Sequence, residues 1–257
     1  MSRTNRQKMI LSFLEEHDLV NVNELSEYFH VTPTSIRRDL MSLEEAGWII
    51  RSRGQAQLNN KSFRSGLLNT AFNKRTSINS NEKKIIAKLA ASMIKPGDSI
   101  FLDSGTTIHE LAAVLKHNFV KDLTIVTNAV PAAMLLASDY TVNLSGGILN
   151  SYIMALIGPD AENYFSHFIT HKAFIGAPSI IDQGLASAFP FHVGIKRKII
   201  AQSKEVYALV DSTKFIDLGG HIICSLRDLT AVITIETDEN TDALKHFRKE
   251  GVKIITV

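Results

Sequence analysis

The stretch Val31–Leu43 reads VTPTSIRRDLMSL and has the makings of one short helix. Thr32 is a good N-cap, because its hydroxyl accepts from an amide that the first turn leaves unpaired. Pro33 follows at the first helical position, where a missing N–H costs nothing. An advance of about 100° per residue puts Ile36, Leu40 and Leu43 on one stripe. Thr34, Arg37, Arg38 and Met41 fall on the far side. The apolar stripe must dock on something. The outward face carries short hydroxyls and guanidinium groups, which suit phosphates and guanine edges.

A lone Arg-Arg pair would fit any solvated surface helix, but the flanks argue for more. Upstream, Arg6–Glu16 carries Ile10, Phe13 and Leu14 at helical spacing. Val22–Phe29 reads as a second short helix with Leu25 and Phe29 inward. Downstream, Ala46–Gly47 is expected to end the third helix, and Trp48–Leu58 reads as two strands turning near Gly54. Three helices followed by a basic hairpin imply a winged helix-turn-helix.

The stretch from Arg6 through Ala56 also resembles the N-terminal domain of DeoR-family bacterial transcription regulators. The likeness rests on Ser35-Ile36-Arg37-Arg38-Asp39-Leu40, against a common T-I-R-R-D-L core, and on Arg53-Gly54-Gln55-Ala56, against an R-x-G-G-A wing. Gln55 stands where the family has a second glycine. The candidate DNA-contacting residues are Thr34, Ser35, Arg37, Arg38, Met41, Arg51 and Arg53.

With 257 residues, 45% hydrophobic and 21% charged, the chain reads as globular, and its length suggests two domains. No apolar run reaches the length of a membrane span, and the N-terminus lacks a signal-peptide core, so no membrane association is expected. A single cysteine, Cys224, fits a reducing cytoplasm and excludes an internal disulfide; the plain expectation is a small buried side chain near a strand. Net charge is only +2. Through residue 60 there are seven Arg and Lys against eight Asp and Glu. Nucleic-acid binding therefore rests on where the arginines sit, and a homodimer or higher homo-oligomer doubles that footprint on double-stranded operator DNA.

Residues 1–58 are the expected DNA-binding domain, 59–81 a polar linker, and 82–257 an effector-sensing and oligomerisation domain. Phe72 and Arg75 match an F-x-x-R element of the family, which implies that the later linker packs on the second domain; the alternatives are that Lys61, Arg64, Lys74 and Arg75 add phosphate contacts, or that the stretch is a plain solvated linker. Glu82–Ile94 reads as a helix with Ile85, Ile86, Leu89, Ala90, Met93 and Ile94 on one face. Beyond it, short apolar runs alternate with helices. Strands are expected at Ser99–Leu102, Leu123–Thr127, Thr141–Leu144, Lys172–Ile175, Val206–Val210, Ala231–Ile235 and Lys253–Val257. Helices are expected near Thr107–Leu115, Ala129–Ala137, Ala161–Phe168, Val193–Ser203 and Thr241–Glu250. The pattern predicts an α/β fold with a mainly parallel sheet covered on both faces.

Such sheets bind ligands at the carboxyl ends of their strands. The first strand runs into Asp103-Ser104-Gly105-Thr106-Thr107 and then a helix. A small, hydroxyl-rich turn at a helix N-terminus offers backbone N–H groups and the positive end of the macrodipole, which suits a phosphate. Many strand-to-helix turns use Gly and Thr for capping alone. Further strand ends carry Asn128, Ser145-Gly146-Gly147, Gly176 and Asp211–Lys214. Taken singly, each charged residue is an ordinary surface charge or cap; their common location raises their weight.

The DeoR resemblance continues through FLDSGTT, VTN, GG, AFIGA and DSTKF. It implies an effector domain similar in fold to ribose-5-phosphate isomerase, sensing a phosphorylated sugar or derivative, with no cofactor or metal. On that resemblance Asp103–Thr107 are the phosphate loop, and Asn128, Gly146, Gly147, Gly176, Lys196, Asp211 and Lys214 surround the ligand. Two departures stand out. His192-Val-Gly-Ile-Lys196 replaces an E-A-x-V-K helix start, and Pro178-Ser179 replaces a D-G turn. Imidazole at 192 can donate and accept but carries little charge at neutral pH, so either a different ligand or weakened binding is expected there.

Three functions compete on the sequence. A regulator, released from an operator by a sugar phosphate, accounts for both halves. An isomerase-like enzyme with a DNA-binding head would draw on Asp103 and Asp211 as acid–base groups, but fold likeness does not establish chemistry. It also lacks a carboxylate at 192. A regulator with a vestigial pocket fits Pro178 and His192 but not the intact DSGTT loop. A zincin start at His109-Glu110 fails because position 113 is Ala113.

Overall fold

Local signals shape the first part of the chain as the sequence implies. The computed structural model describes residues 3–17, 19–45, 48–52, 54–58 and 70–256. Ala46, Gly47 and Arg53 lie outside them. The chain divides into two units, Met1–Ser77 and Ile78–Val257.

In the first unit α1 spans Arg3–Glu16, β1 Val20–Asn21, α2 Val22–Phe29 and α3 Pro33–Glu45. The wing follows as β2, Ile49–Ser52, and β3, Gln55–Leu58, with Gly54 between them at a φ of 83°. β3 pairs antiparallel with both β2 and β1, so the strand before α2 completes a three-stranded sheet. Of the expected core, Ile10, Leu14, Leu25, Phe29, Ile36, Leu40 and Leu43 are buried and Phe13 is half-buried; Trp48, Ile49 and Ala56 join them. A helix not anticipated, α4, covers Thr70–Ser77 within the stretch read as linker, and Phe72 on it is buried.

The second unit opens with α5, Ser80–Ser92. Its buried face is Lys83, Ile86, Ala87 and Ala90. Ile85, expected inward, is exposed, because that face is centred one residue further along. Then come β4 (Ser99–Leu102), α6 (Thr106–His117), β5 (Thr124–Thr127), α7 (Val130–Leu136) and β6 (Thr141–Leu144). A short hairpin follows, β7 (Ile148–Asn150) and β8 (Ala155–Ile157), and then α8 (Pro159–Phe165) and β9 (Thr170–Ile175). β10 (Ser179–Ile181), β11 (Gly184–Ser187), α9 (Val193–Ala201), β12 (Ser203–Leu209) and β13 (His221–Cys224) lead to β14 (Ala231–Thr234), α10 (Thr241–Lys249) and β15 (Ile254–Thr256).

Seven of these strands form one sheet in the order β15-β14-β12-β9-β4-β5-β6, every neighbouring pair parallel. Successive residues of a strand face opposite sides. Ile100, Leu102 and Phe174 therefore meet Ile86 of α5, Leu111 of α6 and Leu136 of α7 in one core. Phe101, Ala173 and Ile175 meet Phe165 of α8, Ile199 of α9 and Phe247 of α10 in the other. Burial on both faces is what made the central strands read as continuous apolar runs. Because the strands are parallel, their carboxyl ends share one edge.

The sequence did not announce the small antiparallel sheet β10-β11-β13. Gly184 pins it: with φ at 138°, a Cβ there would sit 1.8 Å from the Cys224 carbonyl oxygen. Cys224 is buried as expected, and burial pushes its thiol up to about 12. No helix among the described residues is long and apolar enough to cross a membrane.

Candidate functional site

The first candidate face is on α3. Thr32 caps it, accepting from the Ser35 amide at 3.3 Å, with the two hydroxyls 3.1 Å apart. Thr34, Arg37, Arg38 and Met41 are exposed on one side while Ile36 and Leu40 are buried on the other; Ser35 is half-buried at the helix start. α2 ahead of it carries a full capping box. The Asn21 side chain accepts from the Asn23 and Glu24 amides at 2.9 Å, and Glu24 accepts from the Asn21 amide at 2.8 Å. The turn between the two helices closes on His30, left-handed at φ 52°. Ser26 Oγ donates across it to the Val31 carbonyl at 2.5 Å.

Arg51 on β2 is half-buried, 3.6 Å from Glu44, so part of its charge is met within the protein. Arg53 lies outside the described residues. Asp39, unassigned from sequence, is buried and accepts from Arg6 Nε at 2.5 Å. The acidic member of the R-R-D motif thus braces α3 against α1, and leaves both neighbouring arginines to solvent.

The second candidate site is the carboxyl edge of the large sheet. Asp103 follows β4 and is fully buried. Its Oδ2 accepts from the Gly176 amide at 2.9 Å and from Lys196 Nζ, which also donates to the Gly176 carbonyl at 2.8 Å. Three of the residues picked from sequence, just after β4, just after β9 and on α9, are thereby joined. Gly105 takes φ 139° at the start of α6, and no side chain caps that helix. Ser104 and Thr107 are buried and Thr106 is half-buried.

On the neighbouring strands, Thr127 Oγ1 donates to the Leu102 carbonyl at 2.6 Å and accepts from the Ala129 amide at 3.0 Å. Asn128 Nδ2 donates to the Leu156 carbonyl at 3.0 Å, which fastens the β7–β8 hairpin to the edge. Gly146 and Gly147 are exposed, yet Gly147 answers to packing: a Cβ there would lie 2.5 Å from the Ile157 carbonyl oxygen.

At the end of β12, Asp211 Oδ1 accepts from Asn79 Nδ2 at 3.3 Å, from the Thr213 amide at 3.2 Å and from Thr213 Oγ1 at 2.5 Å. Lys214 Nζ stands 3.9 Å from its Oδ2. Burial raises the Asp211 carboxyl, but the charges of Lys214 and Lys83 and the bonds from Thr213 and Asn79 outweigh it and hold it below its ordinary value. His192 is buried in a turn before α9, its Nε2 2.5 Å from Ser187 Oγ. Gly194 makes room for another carboxylate near this helix start, since a Cβ there would fall 2.1 Å from Glu162 Oε1.

Four polar atoms on this edge are buried without a hydrogen-bond partner: Asp103 Oδ1, Asn128 Oδ1, Ser145 Oγ and Asp211 Oδ2. Each such group costs about 1–3 kcal/mol unless something satisfies it. Ser145 is among the strand-end residues picked from sequence, by its hydroxyl beside two glycines. Asn79 and Lys83 are the residues that sequence reasoning passed over, because they reach the edge only through the tertiary fold. Among the described residues no group of His, Cys, Asp and Glu could hold a metal.

Comparison with known proteins gives matches along most of the chain. Residues 6–62 match the DeoR-like helix-turn-helix domain and residues 78–236 the DeoR C terminal sensor domain. The glycerol-3-phosphate regulon repressor of Escherichia coli (strain K12) is 33% identical over 93% of this chain and 92% of its own. The HTH-type transcriptional repressor GlcR of Bacillus subtilis (strain 168) is 33% identical over 91% of this chain and 89% of its own. Among solved structures, ribose 5-phosphate isomerase A from Methanocaldococcus jannaschii aligns at TM-score 0.37 and 21% identity over 54% of this chain and 55% of that one.

Proposed function

The chain belongs to the DeoR family of transcriptional regulators, and on that premise we propose that it represses a carbohydrate-uptake or catabolism operon and is released from DNA by a phosphorylated sugar. It is a DNA-binding regulator rather than an enzyme, in keeping with its relatives named as repressors. Residues 1–58 read the operator, 59–81 connect, and 82–257 sense the ligand and pair the subunits, in the cytoplasm. Arg37 and Arg38 contact bases and phosphates from α3, helped by Thr34, Ser35 and Met41; Arg51 and Arg53 contact the backbone from the wing.

The observation that supports the sensing role most directly is the set of four unsatisfied atoms on one sheet edge. Three are oxygens that only accept, and the fourth is a hydroxyl. A polyhydroxyl ligand supplies the donors they lack, while the uncapped start of α6, with Ser104, Thr106 and Thr107, suits its phosphate. Binding shifts an equilibrium between a DNA-competent and a released state.

Fluorescence anisotropy on DNA from upstream of its own gene tests this, at two salt concentrations and with a panel of sugar phosphates. Salt-sensitive binding that one compound releases is the expected result. Specific binding unmoved by the whole panel overturns the sensing role, and no specific binding there or in a wider operator search overturns the regulator.

A further inference from the structure

Two helices of this chain begin with the same pattern and use it differently. Asn21-Val-Asn-Glu24 opens α2, and its two side chains close a capping box on one another's backbone. Asn79-Ser-Asn-Glu82 opens α5, with Asn79 at the N-cap and Glu82 three residues on. There the Asn79 side chain caps nothing. Its Nδ2 reaches Asp211 Oδ1, 132 residues away, and Glu82 accepts from the Ser212 amide at 2.8 Å and from Ser212 Oγ at 2.9 Å. Both groups that would form the box are spent on the loop after β12.

The backbone differs accordingly. Asn21 has the extended conformation of an N-cap, φ −100° and ψ 164°, whereas Asn79 is left-handed at φ 50° and ψ 35°. Among non-glycine residues Asn tolerates that region best, but Ser and most others disfavour it. Asn79 also lies two residues past the division between the two units, which falls between Ser77 and Ile78. A change of φ and ψ there redirects the chain that leads back to the DNA-binding unit.

We propose that residues 79–82 are a two-position switch. Latched to Asp211 and Ser212, as here, the chain holds its DNA-binding state. Released, Asn79 turns to the extended conformation and closes a capping box with Glu82, and DNA affinity falls. This rests on the reading that the sheet edge is the ligand site: Asp211 belongs to both, with Oδ1 on the latch and Oδ2 unsatisfied on the edge. A ligand hydroxyl that donates to Oδ2 draws the carboxylate toward itself and weakens the bond that Oδ1 accepts from Asn79. The two arrangements supply the bistable element that coupling between distant sites requires.

Asn79→Ser keeps a capping side chain while disfavouring the left-handed backbone, so it populates the released position without ligand. On the DNA fragment that the wild type binds, the expected loss of affinity is about tenfold, an ordinary size for allosteric coupling. Ser212→Ala, which removes one of the two bonds to Glu82, shifts affinity the same way by a smaller factor and carries the test if the first variant melts early. Lys116→Ala, which cuts a surface pair with Asp139 in the same unit, leaves affinity unchanged. Both latch variants binding DNA within twofold of wild type overturns the switch. The panel of glycerol 3-phosphate, glucose 6-phosphate, fructose 1-phosphate and ribose 5-phosphate is then added. A compound that releases the wild type acts by a smaller factor on Asn79→Ser. If none moves the wild type, the ligand reading fails, while the ligand-free comparison still decides the switch.

Discussion

Lys196 and Asp103 form an ion pair from which solvent is almost excluded, their side chains 3% and 1% exposed. The pair joins the start of α9 to the end of β4 and includes both groups of the Gly176 peptide neighbourhood through the Gly176 amide and carbonyl. Taking two charges out of water is costly, and what offsets it here is their mutual attraction together with the bonds each makes to Gly176. Removing one partner leaves the other charge buried alone. Lys196→Met is expected to lower unfolding stability by about 3–5 kcal/mol, and the double variant Asp103→Asn with Lys196→Met to recover much of it. Urea denaturation followed by far-UV circular dichroism measures both; equal losses in the single and double variants contradict the assignment.

Arg38 is exposed on α3 with its neighbour Arg37, while the carboxylate between them and Leu40 is turned inward to Arg6. If Arg38 reads guanine through two guanidinium nitrogens, Arg38→Ala costs about 1–3 kcal/mol of operator binding and relaxes preference at one base pair. Arg38→Lys keeps the charge and loses the fork, so it retains the salt dependence and loses discrimination. Binding titrations at several salt concentrations, on the operator and on a scrambled duplex, separate the two effects. An Arg38→Lys protein that discriminates as well as wild type reduces Arg38 to a phosphate contact.

The legible parts of this chain were those governed by neighbours in sequence. The Thr32 cap, Pro33 and the Ile36–Leu40–Leu43 stripe are local signals, and α3 follows them. The central strands of the parallel sheet were legible because burial on both faces leaves runs such as Ser99–Leu102 without alternation, whereas the more exposed edge strands β6 and β15 were legible from their place in the alternation with helices. The β10-β11-β13 sheet was not, since its strands are three or four residues long and β13 pairs with β11 across a long insertion. Candidate residues at strand ends could be picked from the strand and helix pattern together with the family resemblance. The diversion of Asn79 and Glu82 could not, because their pattern is the same as that of Asn21 and Glu24 and only the fold decides which partner wins.

Asp39 is buried against Arg6, so its substitution acts on the helix-turn-helix before it acts on DNA. Asp39→Ala leaves the Arg6 guanidinium uncompensated at the α1–α3 junction, with an expected cost of about 3 kcal/mol. Native-state hydrogen exchange reports this locally. Protection at the Ile36 and Leu40 amides drops, while protection at Phe101 and Phe174 in the other unit stays. Unchanged protection in α3 alongside lost DNA binding would assign Asp39 to the DNA instead.

Asp211 gives the sensing unit an acid limb. Burial raises its carboxyl, and Lys214, Thr213, Lys83 and Asn79 together bring it below the ordinary 3.8. A depressed folded value means that the unfolded chain takes up the proton first as pH falls. The stabilisation is therefore full above the unfolded value, near pH 4, and is lost on acidification through the folded value. Thermal melts of wild type between pH 6 and pH 3 are expected to fall more steeply than those of Asp211→Asn, which has no charge to lose. Parallel curves dismiss the contribution.

His192 has one ring nitrogen committed to Ser187, whose hydroxyl also accepts from the Phe189 amide at 3.1 Å. His192→Glu puts a carboxylate at a position only 7% exposed. It can still accept from Ser187, but burial opposes its charge, so the variant loses about 1–3 kcal/mol of stability near neutral pH and regains part of that as pH falls and the carboxyl protonates. His192→Gln keeps a neutral donor and acceptor and is expected to lose less. The same two proteins test the site. If position 192 faces the ligand, glutamate changes which sugar phosphate of a panel binds best, and glutamine changes it less. Calorimetric titrations that return the wild-type rank order and affinities for both variants remove His192 from the ligand site and leave it as a buried support for the start of α9.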